Sequence, residues 1–99
     1  MELIANEIKE RIPKLYDTED ISDPIVYVKL FLDGWTWYIT ELSEDSDICF
    51  GYVVSPFGRE LGYFSLEELK SLRGRLGTWV ERDLFFRKIP LSVLKSSYK

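Results

Sequence analysis

The stretch IVYVKLFLDGWTWYITEL, residues 25–42, sets two apolar-rich runs on either side of Asp33-Gly34. An Asp-Gly pair between such runs is a strong signal for a two-residue hairpin, because type I′ turns need positive φ at both central positions. With that loop, Leu32 faces Trp35, Leu30 faces Trp37, Val28 faces Ile39 and Val26 faces Glu41. The intervening pairs are Phe31–Thr36, Lys29–Tyr38 and Tyr27–Thr40. One face is then apolar almost throughout, while the other mixes aromatic rings, threonines and a lysine. A three-residue loop would pair Lys29 with Trp37 and Val28 with Tyr38, scrambling both faces. Register follows the hydrophobic pattern, so the two-residue loop is expected, with Trp35 and Trp37 in the core and Tyr38 on the opposite face. Burying one such Trp removes roughly 150–250 Å² from water, a gross gain of about 4–6 kcal/mol at ~25 cal/mol/Å².

Outward from the hairpin, further elements can be placed. DICFGYVV and RELGYF read as a second strand pair around the turn Ser55-Pro56-Phe57-Gly58, with Pro at the second turn position and Gly at the fourth. Gly51 and Gly62 lie inside these strands, which signals a bulge or a close backbone approach. Ser65 and Glu68 have capping-box spacing, and Phe64 and Leu69 stand at hydrophobic-staple positions. Leu66, Leu69 and Leu72 supply that helix's apolar stripe, and Gly74 reads as its C-terminal cap. Residues 2–12 read as a short amphipathic helix from Ile4, Ile8 and Ile12, stopped by Pro13. TWVERDLFF, residues 78–86, reads as a last strand, and Pro90 opens a short helix, PLSVLKSS. The expected order is helix, four-strand antiparallel meander, capped helix, strand and short C-terminal helix. That is an α+β class chain with its helices mainly on one sheet face.

Composition restricts function. Ninety-nine residues, 45% hydrophobic and 15% aromatic, make a single domain spanning 1–99 with a real core. The chain has no histidine, which removes the commonest general base and the commonest metal ligand. A lone cysteine, Cys49, excludes an intramolecular disulfide and reads as a small buried hydrophobe. No nucleophile with an adjacent base, glycine-rich phosphate loop or metal-ligand spacing is present. The expectation is a protein without catalytic residues, metal or cofactor. The amino terminus has acids where a signal peptide needs a basic start, and no apolar run approaches a membrane span. A cytoplasmic protein with no membrane association is expected.

Charge is unevenly distributed. Residues 1–50 hold 12 acids and 4 bases, a balance of −8, whereas residues 51–99 hold 5 acids and 9 bases, a balance of +4. The hairpin register brings the loop carrying Asp17, Glu19, Asp20 and Asp23 towards Glu41, Glu44, Asp45 and Asp47. Eight carboxylates at one end would attract a basic surface and speed association. Tyr27, Lys29 and Tyr38 form a second candidate surface, a protein-binding aromatic face if it stays open. It closes if the C-terminal segment with Phe85 and Phe86 folds over it. Arg73, Arg75 and Arg82 around Gly74 and Gly77 form a candidate anion-binding corner. Glu81 and Asp83 share one strand face and could serve a small metal-dependent hydrolase or nuclease, although salt bridges to Arg59 or Arg73 explain them more simply. Direct nucleic-acid binding is disfavoured by the overall acidity.

The assembled pieces resemble a known family, the bacterial and mobile-element proteins grouped as domain of unknown function 2958. PKLYDTED, DPIVYVKLF, WTWYITE, FGYV, ELGYFSLEEL, ERDLFF and PLSVL carry the resemblance in this order, from Pro13 to Leu94. Arg75 and Trp79 stand where prolines are expected in relatives, and the Asp33-Gly34 loop is shorter than in many. The resemblance implies a fold and an origin in plasmids, phages and conjugative elements, but no activity. Together these readings point to a non-catalytic acidic protein that binds another protein. The expected partner is a nucleic-acid-handling defence protein with a basic groove, inhibited in an anti-CRISPR-like manner.

Overall fold

A computed structural model of the chain describes residues 2–98. Its elements are α1 (Asn6–Lys9), β1 (Ile25–Val26), β2 (Val28–Leu32), β3 (Trp35–Leu42), β4 (Ile48–Ser55), β5 (Gly58–Ser65), α2 (Leu66–Ser71), β6 (Glu81–Arg82), β7 (Ile89–Pro90) and α3 (Leu91–Ser96). Strands β2 to β5 form the expected antiparallel meander, and β6 extends it beyond β2, giving the order β5-β4-β3-β2-β6. A small second sheet pairs β1 with β7. The fold is α+β.

The hairpin has the expected register, Val28 opposite Ile39, Leu30 opposite Trp37 and Leu32 opposite Trp35. Its turn differs in detail: Asp33 has φ 51° but Gly34 does not have positive φ. Positive φ at the first central residue alone is the pattern of type II′ rather than type I′. Both primed turns suit strand twist, so the pairing is unaffected.

Two bulges then change which side chains share a face. Tyr27 interrupts the first run, donating its N–H to the carbonyl of Ile39 at 2.9 Å. Between Ile39 and Glu41 the β3–β4 register also shifts by one residue, leaving Ile39 opposite Gly51 and Glu41 opposite Phe50. One extra residue inverts the alternation beyond it. Tyr27 therefore packs against the same core as Trp37, while Val26 joins Tyr38 on the other face.

The sheet thus has a core on each side. Leu30, Trp37, Ile39, Leu42 and Cys49 pack under Leu3, Ile4 and Ile12 of the amino-terminal segment and under Leu66 and Leu69 of α2. On the other face Val26, Tyr38 and Tyr52 pack against Leu91 and Leu94 of α3. From Trp37 to Leu42 every residue of β3 is buried. Two of the three helices cover the Trp37 face, and α3 covers the reverse.

Helix α2 starts as its residues dictate: the Ser65 hydroxyl accepts the N–H of Glu68 at 3.2 Å. It ends early, with Leu72 in extended conformation and exposed. Gly74 is not a left-handed cap; a Cβ there would lie within 3.0 Å of Thr78, Asp33 and Leu32. The expected strand over 78–86 contracts to Glu81 and Arg82, because Asp83 folds the chain into a turn, its carboxylate accepting the N–H of Phe85 at 2.9 Å. The helix expected over 2–12 contracts to Asn6–Lys9.

The two strand glycines have different reasons to exist. A Cβ on Gly51 would sit 1.7 Å from the carbonyl oxygen of Tyr38, whereas one on Gly62 would meet nothing within 4 Å. Gly51→Ala must force β3 and β4 apart at the bulge, and a loss of about 2–4 kcal/mol in urea unfolding is expected. Gly62→Ala should change stability by less than about 1 kcal/mol. Equal effects would contradict the close approach.

Candidate functional site

Placement of the eight carboxylates decides how much of the acidic end is available. Glu41, expected on the Trp37 face, lies beyond the bulge on the other side and is only 4% exposed. Its carboxylate accepts the N–H of Tyr16 and of Thr18, both at 2.9 Å, and also the Thr18 hydroxyl. Tyr16 has φ 71°, a costly conformation for a bulky residue that Glu41 holds in place. Asp47 receives the Ser65 hydroxyl at 3.0 Å and the Glu67 N–H at 2.9 Å, completing the start of α2.

Asp23 does the same for α3, accepting the N–H of Ser92 at 2.8 Å and its hydroxyl at 2.6 Å. The Ser92 bonds hold the Asp23 carboxyl below its ordinary range. Asp45 accepts the Ser43 hydroxyl and the Asp47 N–H, which lowers it likewise. Asp17 receives the Lys14 N–H at 3.3 Å. Glu19, Asp20 and Glu44 are exposed, and their carboxylates make no hydrogen bond or ion pair among the described residues. Most of the acids thus fasten loops to the sheet and leave three fully outward.

The aromatic face is divided and covered. Tyr38 is 2% exposed. Its hydroxyl meets that of Tyr98 at 2.5 Å, and its ring packs against Phe86 at 5.9 Å. Lys29 lies 5.9 Å from the Tyr38 ring centroid and 3.7 Å from Asp83. Tyr27 is on the other side of the sheet. Tyr27, Lys29 and Tyr38 therefore do not make one open surface, because the C-terminal segment folds over it.

The arginines also separate. Arg73 donates to the carbonyls of Lys70 and Leu72 at the end of α2 and stacks over Trp79 at 5.3 Å. The Arg75 backbone N–H is tied to Asp33 at 3.1 Å. Arg82 is on β6, beside a different cavity, and does not join them in a corner. Glu81 is exposed opposite Phe31, and Asp83 pairs with Lys29 rather than with Arg59 or Arg73. No group of three His, Cys, Asp or Glu side chains among the described residues has the arrangement of a metal site.

Two features escaped the sequence reading. Trp35, expected in the core, is 38% exposed at the hairpin end and stacks on Trp37 at 6.0 Å. It continues to Phe57 at 6.4 Å and to Leu72 and Arg73, with which it borders a recess of about 410 Å³. Through Arg73 this surface reaches Trp79. Strand-end position is the signal that would have exposed it, since the helices cover only the middle of the strand. The second feature is a cavity of about 340 Å³ lined by Arg11, Arg82, Arg87 and Lys88, of which Arg11 is too distant in sequence from the other three to suggest a site.

The match to the family model described as Protein of unknown function (DUF2958) runs over residues 2–97. The chain belongs to this family. The DUF2958 match bears out the resemblance and extends beyond its Pro13–Leu94 span to cover every element described above. No curated protein and no solved structure matches the chain. No helix among the described residues is long and apolar enough to cross a membrane.

Two outcomes test the division of roles. Glu41→Ala leaves two backbone donors without their acceptor and should cost about 2–4 kcal/mol, whereas Glu44→Ala should stay within about 0.5 kcal/mol. Similar small losses in chemical denaturation would contradict the anchoring role of Glu41.

Alkaline pH provides another check. Burial pushes the Cys49 thiol up to about 12, and burial followed by the Tyr98 hydrogen bond raises Tyr38 strongly. Each group stays neutral in the folded chain while its unfolded counterpart ionises at its ordinary value. Their contribution is therefore complete below that value and declines as pH rises through the range above it. The melting temperature should fall above about pH 9, less steeply in Tyr38→Phe. A parallel decline in the variant would contradict this.

Proposed function

We propose that this DUF2958 protein is a non-catalytic interaction protein that binds another protein. One observation supports it above the others: the exposed surface of Trp35, Phe57, Leu72, Arg73, Leu76 and Trp79 at the hairpin end, where Phe57 is 90% and Leu76 92% exposed. Exposed apolar surface of this kind marks binding sites, and Trp with Arg are the residues that concentrate binding energy. An isologous contact with a second copy would gather Arg73 and Arg75 of both copies into one interface, so a different protein is the better occupant.

In its finer form the proposal is of a mobile-element or phage protein that inhibits a nucleic-acid-handling defence protein. Glu19, Asp20 and Glu44 lie at the other end of the sheet from the hairpin turn and would meet a basic groove there. The charge imbalance between chain halves supports that reading.

The test is affinity capture by the tagged full chain from extracts of its host, followed by binding measurements with each purified captured protein. Phe57→Ala with Leu76→Ala should weaken a specific partner by about tenfold or more with little effect on folding. Glu19, Asp20 and Glu44 changed together to Lys should mainly slow association. Asp45 and Asp47 are left intact because Asp45 holds the β3–β4 turn and Asp47 the start of α2. Identical affinities for wild type and both variants would refute the proposal.

A further inference from the structure

The structure assigns a second binding site, independent of the hairpin end: we propose that the cavity between α1, the start of β2 and residues 82–88 binds a phosphate monoester carrying a flat ring, of mononucleotide size. The cavity measures about 340 Å³, at the small end of the range for small-molecule sites. Arg11, Arg82, Arg87 and Lys88 line it together with Tyr27 and Phe86.

Four cations here are unusual in a chain of net charge −4. None of the four makes an ion pair or a side-chain hydrogen bond among the described residues. The lining contains one acid, Asp83. Its carboxylate lies 3.7 Å from Lys29 and accepts the Phe85 N–H, so it is already engaged. Glu7 of α1, Glu10 just after it and Glu81 of β6 are exposed and do not line the cavity. Arg82 is half-buried while Arg11, Arg87 and Lys88 reach solvent. Drawn together from the amino-terminal segment and residues 82–88, their like charges repel, and a bound anion would relieve that repulsion. Guanidinium groups match the planar, multidentate geometry of a phosphate.

The fold explains why these cations meet. Ile8 and Arg11 are three residues apart, on one side of the amino-terminal turn. Arg82 lies opposite Leu30 at the sheet edge, and the turn at Asp83 sends Arg87 and Lys88 back past it. The bulge at Tyr27 is what places this ring on the same side as Ile8 and Arg82. Rings and apolar side chains complete the lining, so the site combines a charged region with a surface for a flat body. Aromatic side chains offer a stacking surface for the flat face of a base. A recess of this size encloses one phosphate and one ring, which favours a small ligand over a continuous strand.

The experiment is calorimetric titration of the full chain with adenosine monophosphate, adenosine, inorganic phosphate and a short single-stranded DNA, at fixed ionic strength. The monophosphate should bind, inorganic phosphate more weakly, and adenosine weakest of all. Arg82→Gln and the Arg87→Gln, Lys88→Gln pair should each reduce monophosphate affinity about tenfold or more. Lys14→Gln, an exposed cation outside the cavity, should leave it unchanged. The unliganded melting temperature of each variant shows that the fold is retained. No binding of the monophosphate at millimolar concentration would overturn the proposal. So would equal losses in Lys14→Gln, or DNA binding without mononucleotide binding.

Discussion

Burial of β3 on both faces is the constraint on which the rest of the structure depends. A central strand with solvent on one side can alternate apolar and polar residues. From Trp37 to Leu42 this strand has no exposed position, so each polar group along it must find a partner inside the protein. Tyr38 finds Tyr98, Thr40 donates to the carbonyl of Phe50 at 3.0 Å, and Glu41 receives three donors from residues 16 and 18. These partners come from distant parts of the chain. The loop after Pro13 and the C-terminal segment are fixed in place by what the strand needs.

The same constraint distributes the surfaces. Carboxylates used to fasten loops are removed from the acidic end, and rings used to seal the second core are removed from the aromatic face. What remains outward is at the periphery of the sheet: the tryptophan and arginine surface beyond the helices at the hairpin end, and the basic recess beside β6. The cations of the recess have no ion-pair partners among the described residues, in a protein whose buried polar groups are well matched. No buried side-chain nitrogen or oxygen among the described residues lacks a hydrogen bond.

Much of this was legible in the sequence. Asp33-Gly34 and the alternation around it set the hairpin register correctly, Ser65 marked the start of α2, and Gly51 signalled a close approach that the structure contains. The bulges were not legible, because a single inserted residue leaves no periodic trace yet inverts every position beyond it. For that one reason Val26, Tyr27 and Glu41 lie on the faces opposite to those that simple alternation assigns. The acidic residues looked free because sequence separates each from its donor: Glu41 from Tyr16 and Thr18, Asp23 from Ser92, Asp47 from Ser65. Trp35 looked buried because alternation identifies a face but not where along a strand its cover ends.

Native-state hydrogen exchange of the β3 amides tests the central claim most directly. The account predicts that the amides of Trp37 to Leu42 that donate within the sheet exchange most slowly in the protein, with an opening free energy equal to that of global unfolding. Fast exchange along this strand while the β4–β5 pair stays protected would show that the strand is not enclosed on both sides, and would contradict the account.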